Sequence, residues 1–235
     1  MTDPAPSLVI VAGGRARRLG RDKPLVEIGG RAILLRILDA TSHIADVVLA
    51  VREVPPFERA LAAEGWEPGQ EGTARPPGAV ALRHPSGRSL VVVPDPVPDL
   101  GPLAGLASGL TAARSPICVA LAGDLPFVTA ELVDKLTDRL ARAPECDAVV
   151  PRARDRAQPL CAAYRQEVRD IAARLLAESS EGSGPSPAMM GLLDRLRVRY
   201  VGADDLPGVG DLEAATRGVD SPGDLAWATR RMARG

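Results

Sequence analysis

Five stretches of the chain are apolar over strand length and show no alternation with polar residues. They are "SLVIVA" (7–12), "DVVLAV" (46–51), "SLVVVP" (89–94), "ICVALA" (117–122) and "DAVVP" (147–151). Runs of this kind, rich in Val and Ile, belong to strands covered on both faces. Between them, "RAILLRILDA" (31–40), "PLAGLASGLTAAR" (102–114) and "AELVDKLTDRLAR" (130–142) place their apolar residues at helical spacing. Thr129 stands where the last of these needs an N-cap. The alternation predicts an α/β fold of three layers, α/β/α, around a mostly parallel sheet.

Two segments interrupt the rhythm. Residues 65–88 are loaded with Gly and Pro and read as a long loop with room for a small hairpin. Residues 178–187, "ESSEGSGPSP", read as a flexible segment, followed by a short helix and the strand-like "RVRYV" (197–201). Neither separates pieces large enough to bury a core of their own. One domain over 1–235, with 65–88 as an insertion loop and a less regular C-terminal third, is the expected organisation.

Composition narrows the function. The 29 basic and 30 acidic residues nearly cancel, which argues against a general nucleic-acid binder. Aromatic residues at 3% are too few for a base-stacking platform. Cys118, Cys146 and Cys161 have no metal-like spacing and suit burial in a reducing compartment. His43 and His84 are the only histidines, so a His-rich metal site or a Ser-His-Asp triad is not expected. No apolar run approaches the ~20 residues of a membrane span, and "MTDPAPS" lacks the features of a signal peptide. A cytoplasmic protein without a membrane partner is expected.

Against this neutral background, "VAGGRARRLGRDKP" (11–24) gathers Arg15, Arg17, Arg18, Arg21 and Lys23 at one bend. Gly13 and Gly14 let the backbone approach a ligand closely, with N–H groups that cradle an anion. A triphosphate is the natural guest, since one cation–phosphate pair at ~4 Å is worth about 4 kcal/mol before desolvation. Five cations cannot all face one ligand, so two are expected to act and the rest to be solvated. A wholly solvated basic loop is the competing reading. The dinucleotide fingerprint GxGxxG is absent, and Glu53 stands too far on to be its acidic partner. The P-loop pattern fails too, because Gly20 is followed by Arg21-Asp22-Lys23.

Ligands of open α/β sheets lie beyond the C-terminal ends of the strands. Asp95, "GPLAG" (101–105), "GDLPF" (123–127) and the segment before "SPGDL" fall at such ends, as the opening loop does. Asp124, just past a buried strand, is placed either to hold Mg²⁺ or to cap a helix. Asp95 suits a ligand site or a turn, and Gly105 and Gly109 suit close helix packing.

"VAGGRARRLGRDKPL" (11–25) resembles the nucleotidyltransferase signature (L/V)-A-G-G-x-x-x-R-M-G-x-D-K-x-L, departing mainly in Leu19. The resemblance implies a Rossmann-like nucleotidyltransferase domain whose loop wraps a nucleoside triphosphate. Val11, Ala12 and Gly13 would then meet base and ribose through their backbone. Arg18 and Lys23 would hold the phosphates as the catalytic cations, and Asp124 would bind Mg²⁺.

"VVVPDPVPDLGPLAGLASGL" (91–110) closely resembles the molybdenum cofactor guanylyltransferase subfamily, in which the aspartate at Asp95 belongs to the nucleotide site. "AQPLCAAYR" (157–165) matches an element near that subfamily's pterin end, and the resemblance runs from about residue 8 to 228 outside 65–88. The activity implied is guanylyl transfer from Mg²⁺-bound GTP to the terminal phosphate of molybdopterin, with contacts to proteins that deliver molybdopterin or mature molybdoenzymes.

Three departures stand out. "LAVR" (49–52) lacks the subfamily's strand-end asparagine, "GDLPF" replaces C-D-x-P-F, and "GVDSPGDL" (218–225) carries Gly218 and Asp220 where two asparagines are usual. A sibling transferase using CTP or another phosphorylated acceptor, and a nucleotide-binding protein without catalysis, are the alternatives.

Overall fold

The structure is a computed structural model that describes residues 5–13, 15–16, 21–69, 76–95, 101–180 and 189–234. Its longer elements, in chain order, begin with β1 (Ser7–Val11), α1 (Ile33–Ala40), β2 (Asp46–Val51) and α2 (Val54–Ala62). There follow β3 (Val80–Arg83), β4 (Ser89–Pro94), α3 (Pro102–Ala112), β5 (Ile117–Ala122) and α4 (Ala130–Ala141). The C-terminal part holds β6 (Ala148–Ala153), β7 (Cys161–Arg165), α5 (Val168–Ser180), α6 (Met189–Leu193), β8 (Val198–Val201), α7 (Leu212–Ala215) and α8 (Pro222–Met232).

One mixed, largely parallel sheet organises these elements. β1 lies between β2 and β5, parallel to both, and β4 continues the parallel set beside β2. β3 closes on β4 as an antiparallel hairpin. On the other side β7 runs antiparallel to β5 and to β6, and β8 pairs parallel with β6. The expected α/β/α arrangement is therefore present. The five predicted strands are all found, the last extending to Ala153.

The two-residue period of a strand divides the apolar runs between two cores. Leu8 and Ile10 pack with Ile33, Leu34 and Ile37 of α1 and Leu132, Val133 and Leu136 of α4. Val9 and Val11 face the opposite side, against Leu103, Leu106 and Leu110 of α3. α3 lies unusually close to β1, because a Cβ on Gly109 would fall 2.2 Å from the Val9 side chain. The packing reading of that glycine is correct.

The predicted cap is also present, with Thr129 Oγ1 accepting from Leu132 N at 3.3 Å. Arg88 closes the other end of a different helix. Its buried guanidinium donates to the carbonyls of Leu38, Thr41 and Ile44, which emerge around the end of α1.

Two expectations, on the start of α1 and on residues 178–180, need correction, and the small hairpin expected within 65–88 is found. The helix predicted over 31–40 starts at Ile33, because Arg31 and Ala32 pair with Glu27 and Ile28 in a short antiparallel ribbon. Within 65–88, residues 80–83 form β3, and the hairpin closes through His84 N to Arg88 O at 3.0 Å. α5 continues through Ser180, so residues 178–180 are helical, while 181–188 lie outside the described residues. Among the described residues no helix is long and apolar enough to cross a membrane.

Candidate active site

The C-terminal ends of β1 and β5 and the start of α3 surround a cleft of about 140 Å³. Val11, Ala12, Gly13, Lys23, Gly123 and Asp124 line it, with Pro24, Gly101, Pro102, Ala122 and Leu160. Backbone bonds fix the strand ends: Ala12 N donates to Ala50 O at 2.7 Å, and Gly123 N to Val11 O at 2.9 Å. Lys23 opens a single 3₁₀ turn (Lys23–Leu25) whose Pro24 is buried against Gly123, where a Cβ would lie 2.8 Å from the proline ring. Glycine at 123 thus lets the Lys23–Leu25 turn close over the end of β5.

Gly13 has the same kind of necessity. A Cβ there would lie 2.4 Å from Asp95 Oδ2, so only glycine lets the loop after β1 cross that carboxyl group. Asp95 follows β4 directly and its backbone N donates to Val51 O at 2.7 Å. Its Oδ1 is buried, 3.4 Å from where a Cβ on Gly105 would stand, and has no hydrogen-bond partner among the described residues. Burial pushes its pKa up to about 6, against the pull of the nearby Arg52. A buried acceptor left in this state wants a donor from outside the protein.

Lys23 and Asp124 meet inside the cleft, with Nζ 3.3 Å from Asp124 Oδ2. Lys23 also pairs with Asp220, which arrives from the segment before α8. Burial of Lys23 works against its charge, but Asp220 and Asp124 outweigh it and hold its pKa above the ordinary 10.5. Burial raises the pKa of Asp124, Lys23 opposes that rise, and Asp220 adds to it.

The 218–220 segment is fastened to this pair by Val219 N, which donates to Asp124 O at 3.1 Å. A Cβ on Gly218 would stand 3.0 Å from Asp124 Oδ1, so the residue that lacks a side chain keeps that carboxylate clear. Ser221 then caps α8: its Oγ accepts from Asp224 N, and Asp224 accepts from Ser221 N, forming a capping box.

A model of the family described as "MobA-like NTP transferase domain" matches residues 8–196. The chain belongs to the MobA-like NTP transferase family. Among its relatives, a probable molybdenum cofactor guanylyltransferase of Pelotomaculum thermopropionicum is 29% identical, over 94% of this chain and 90% of that protein. One of the same description from Natronomonas pharaonis is 29% identical, over 95% and 96%. The crystal structure of molybdopterin-guanine dinucleotide biosynthesis protein A from Archaeoglobus fulgidus superposes with a TM-score of 0.73 at 22% identity, covering 97% of this chain and all of that one. At that identity the likeness concerns the fold.

Of the residues predicted for this nucleotidyltransferase's site, Val11, Ala12, Gly13, Lys23 and Asp124 line one cleft and Asp95 stands behind Gly13. Arg18 lies outside the described residues. Among the described residues no group of three or more His, Cys, Asp or Glu side chains converges. The cluster is instead two carboxylates and a lysine. Asp220, marked in the sequence by its place in "GVDSPGDL" where an asparagine is usual, joins Lys23, and the capping pattern "SPGD" anchors a helix directly behind it.

Proposed function

We propose that this protein transfers a guanylyl group from Mg²⁺-bound GTP to the terminal phosphate of molybdopterin, releasing pyrophosphate and leaving a guanine dinucleotide form of the cofactor. The observation that carries this reading is the cleft itself. Lys23 and Asp124 stand in it beside the Gly13 crossing, with the unsatisfied Asp95 carboxyl behind. Relatives described as probable molybdenum cofactor guanylyltransferases, matched over nearly their full length, supply the nucleotide and the acceptor.

The backbone of Val11, Ala12 and Gly13 receives the base and ribose, and Asp95 Oδ1 accepts a hydrogen bond from the nucleoside. Arg18 and Lys23 hold the phosphates. An oxygen of the acceptor's phosphate attacks the α-phosphorus; a new P–O bond forms as the bond to pyrophosphate breaks. The attacking oxygen is already ionised near neutral pH, so no general base is required. Lys23 stabilises the negative charge that builds on the α-phosphoryl oxygens, and the cleft aligns acceptor and leaving group.

The donor set fits Mg²⁺, because Asp124 and Asp220 already share one cation in the Lys23 ammonium. Bound there, Mg²⁺ would neutralise phosphate charge. The full length acts as a single nucleotidyltransferase domain in the cytoplasm, where its three buried free cysteines stay reduced. Molybdopterin-delivering and molybdoenzyme-maturation proteins are its expected partners.

A second reading, cytidylyl transfer to the same acceptor, is favoured by one observation: β2 ends at Val51 and Arg52 follows it, with no amide to read a guanine. Incubation with molybdopterin, Mg²⁺ and either GTP, CTP or ATP, following pyrophosphate and the dinucleotide product, tests both. Product from GTP alone supports guanylyl transfer, and preference for CTP replaces it. Nucleotide binding without pyrophosphate release makes the protein a non-catalytic nucleotide binder.

A further inference from the structure

Lys23 is held by two carboxylates, one from the middle of the chain and one from its C-terminal part. Asp124 comes from the end of β5, and Asp220 from the residue before the Ser221 cap of α8. The two acids differ in setting. The Asp124 side chain is 16% exposed, whereas that of Asp220 is 67% exposed. A pair open to water is screened and exchanges its partner readily, while the buried oxygen fixes where the cation stands. Glycine at 218 leaves the Asp124 carboxylate uncrowded on the Asp220 side, and Val219 N ties the two acids into one rigid unit.

One ammonium therefore does for these oxygens what a divalent cation does elsewhere. A hard divalent cation takes carboxylate oxygens directly, and at Asp124 Oδ2 and Asp220 Oδ1 it competes with the ammonium already in contact there. Two carboxylates with Lys23 carry a net charge of −1; with a divalent cation in its place they are neutral, and the lysine charge becomes available to a phosphate.

We propose that Asp124 and Asp220 together form the divalent-cation site and that Lys23 is its resident counterion, displaced by the metal and thereby released to the triphosphate. The inference rests on the nucleotidyl-transfer reading and gives it an order. The cation must arrive before, or together with, the phosphates for Lys23 to engage them. Asp220 is then a positioning residue for Lys23 in the metal-free enzyme and a metal ligand afterwards.

The test is Mn²⁺ binding to the full chain without nucleotide, read from the electron paramagnetic resonance signal of free Mn²⁺. Removing the resident charge in Lys23→Met raises Mn²⁺ affinity, by on the order of tenfold. Asp220→Asn lowers it by a similar factor. Thermal unfolding of each variant checks the fold, and Lys23→Gln serves if the methionine variant does not fold. Unchanged or weaker Mn²⁺ binding in the Lys23 variant overturns the counterion role, and unchanged binding in Asp220→Asn removes Asp220 from the site. A merely structural Lys23 cannot produce the gain. The two proposals also fail separately. A wild-type protein that makes no dinucleotide, while the lysine variant tightens Mn²⁺, refutes the transfer and keeps the exchange. An active wild type whose lysine variant leaves Mn²⁺ unaffected does the reverse.

Discussion

Gly13 and Asp95 occupy complementary halves of one space, since a Cβ on Gly13 would lie 2.4 Å from Asp95 Oδ2. The loop after β1 can cross the end of β4 only where it has no side chain, and the carboxyl it covers keeps a buried, unpartnered oxygen. This relationship ties the glycine-rich opening to an aspartate more than eighty residues later, and it makes both residues testable together.

Gly13→Ala must push either the loop or the carboxyl aside. Either shift displaces a group at the cleft, so kcat/KM for the nucleotide falls by roughly 10²-fold, in line with small misplacements of reacting groups. Adding Asp95→Ala to this variant costs little more, whereas Asp95→Ala alone is costly. Steady-state kinetics on the two single variants and the double variant measure the coupling. Additive losses show that the two residues act apart.

Asp95 also sets a pH dependence. Its carboxyl is raised from 3.8 to about 6 by burial, with Arg52 opposing. A folded pKa above the unfolded one means that the folded state holds the proton more tightly. The resulting stability is complete below 3.8 and is lost as pH rises through about 6. Asp95→Asn therefore melts higher than the wild type above pH 6, and the advantage disappears toward pH 4, as calorimetric scans across that range will show. Nucleotide binding has the opposite sign, because an N–H or O–H donor from the ligand favours the ionised form. Affinity at pH 5 is expected to be roughly tenfold lower than at pH 7. In Asp95→Asn it is flat over the same interval.

Much of this arrangement was legible beforehand, and the reasons are local. Continuous Val and Ile runs marked the parallel strands, Thr129 marked its helix, and the glycines of "GPLAGLASGL" marked close packing. What escaped was long-range or disguised. α2 opens on Val54-Pro55-Pro56, which reads as a loop although prolines fit the first turn of a helix. β7 is "CAAYR", whose small residues carry a weak strand signal and which is held by pairing on both sides. The position of Asp220 was marked, but its pairing with Lys23 across 197 residues is a contact that no local pattern spans. The burial of Asp95 depends on Gly13 and Gly105 meeting around it, which only the assembled sheet brings about.

Arg88 separates stability from function. Its guanidinium is 8% exposed and donates to three backbone carbonyls around the end of α1, and it precedes β4 at the end opposite the cleft. Burial lowers its pKa, with Asp39 opposing, yet a guanidinium remains charged at any working pH. Arg88→Met keeps much of the apolar stem and leaves the carbonyls without donors. Denaturant unfolding should show a loss of about 3 kcal/mol, with KM for the nucleotide unchanged in the folded fraction. An unchanged midpoint places the end of α1 under other control.

Lys23→Ala addresses the chemical step. Loss of a donor aimed at developing phosphoryl charge costs roughly 10²–10³-fold in turnover at saturating GTP and Mg²⁺, and near wild-type turnover removes Lys23 from catalysis. The variant joins this loss to the gain in metal affinity expected of Lys23→Met, and the combination is diagnostic. A residue needed only for folding lowers both, and one that merely attracts anions changes KM while leaving kcat and metal binding alone. Only a cation that moves between the carboxylates of Asp124 and Asp220 and the phosphates of the substrate weakens turnover while strengthening the metal site.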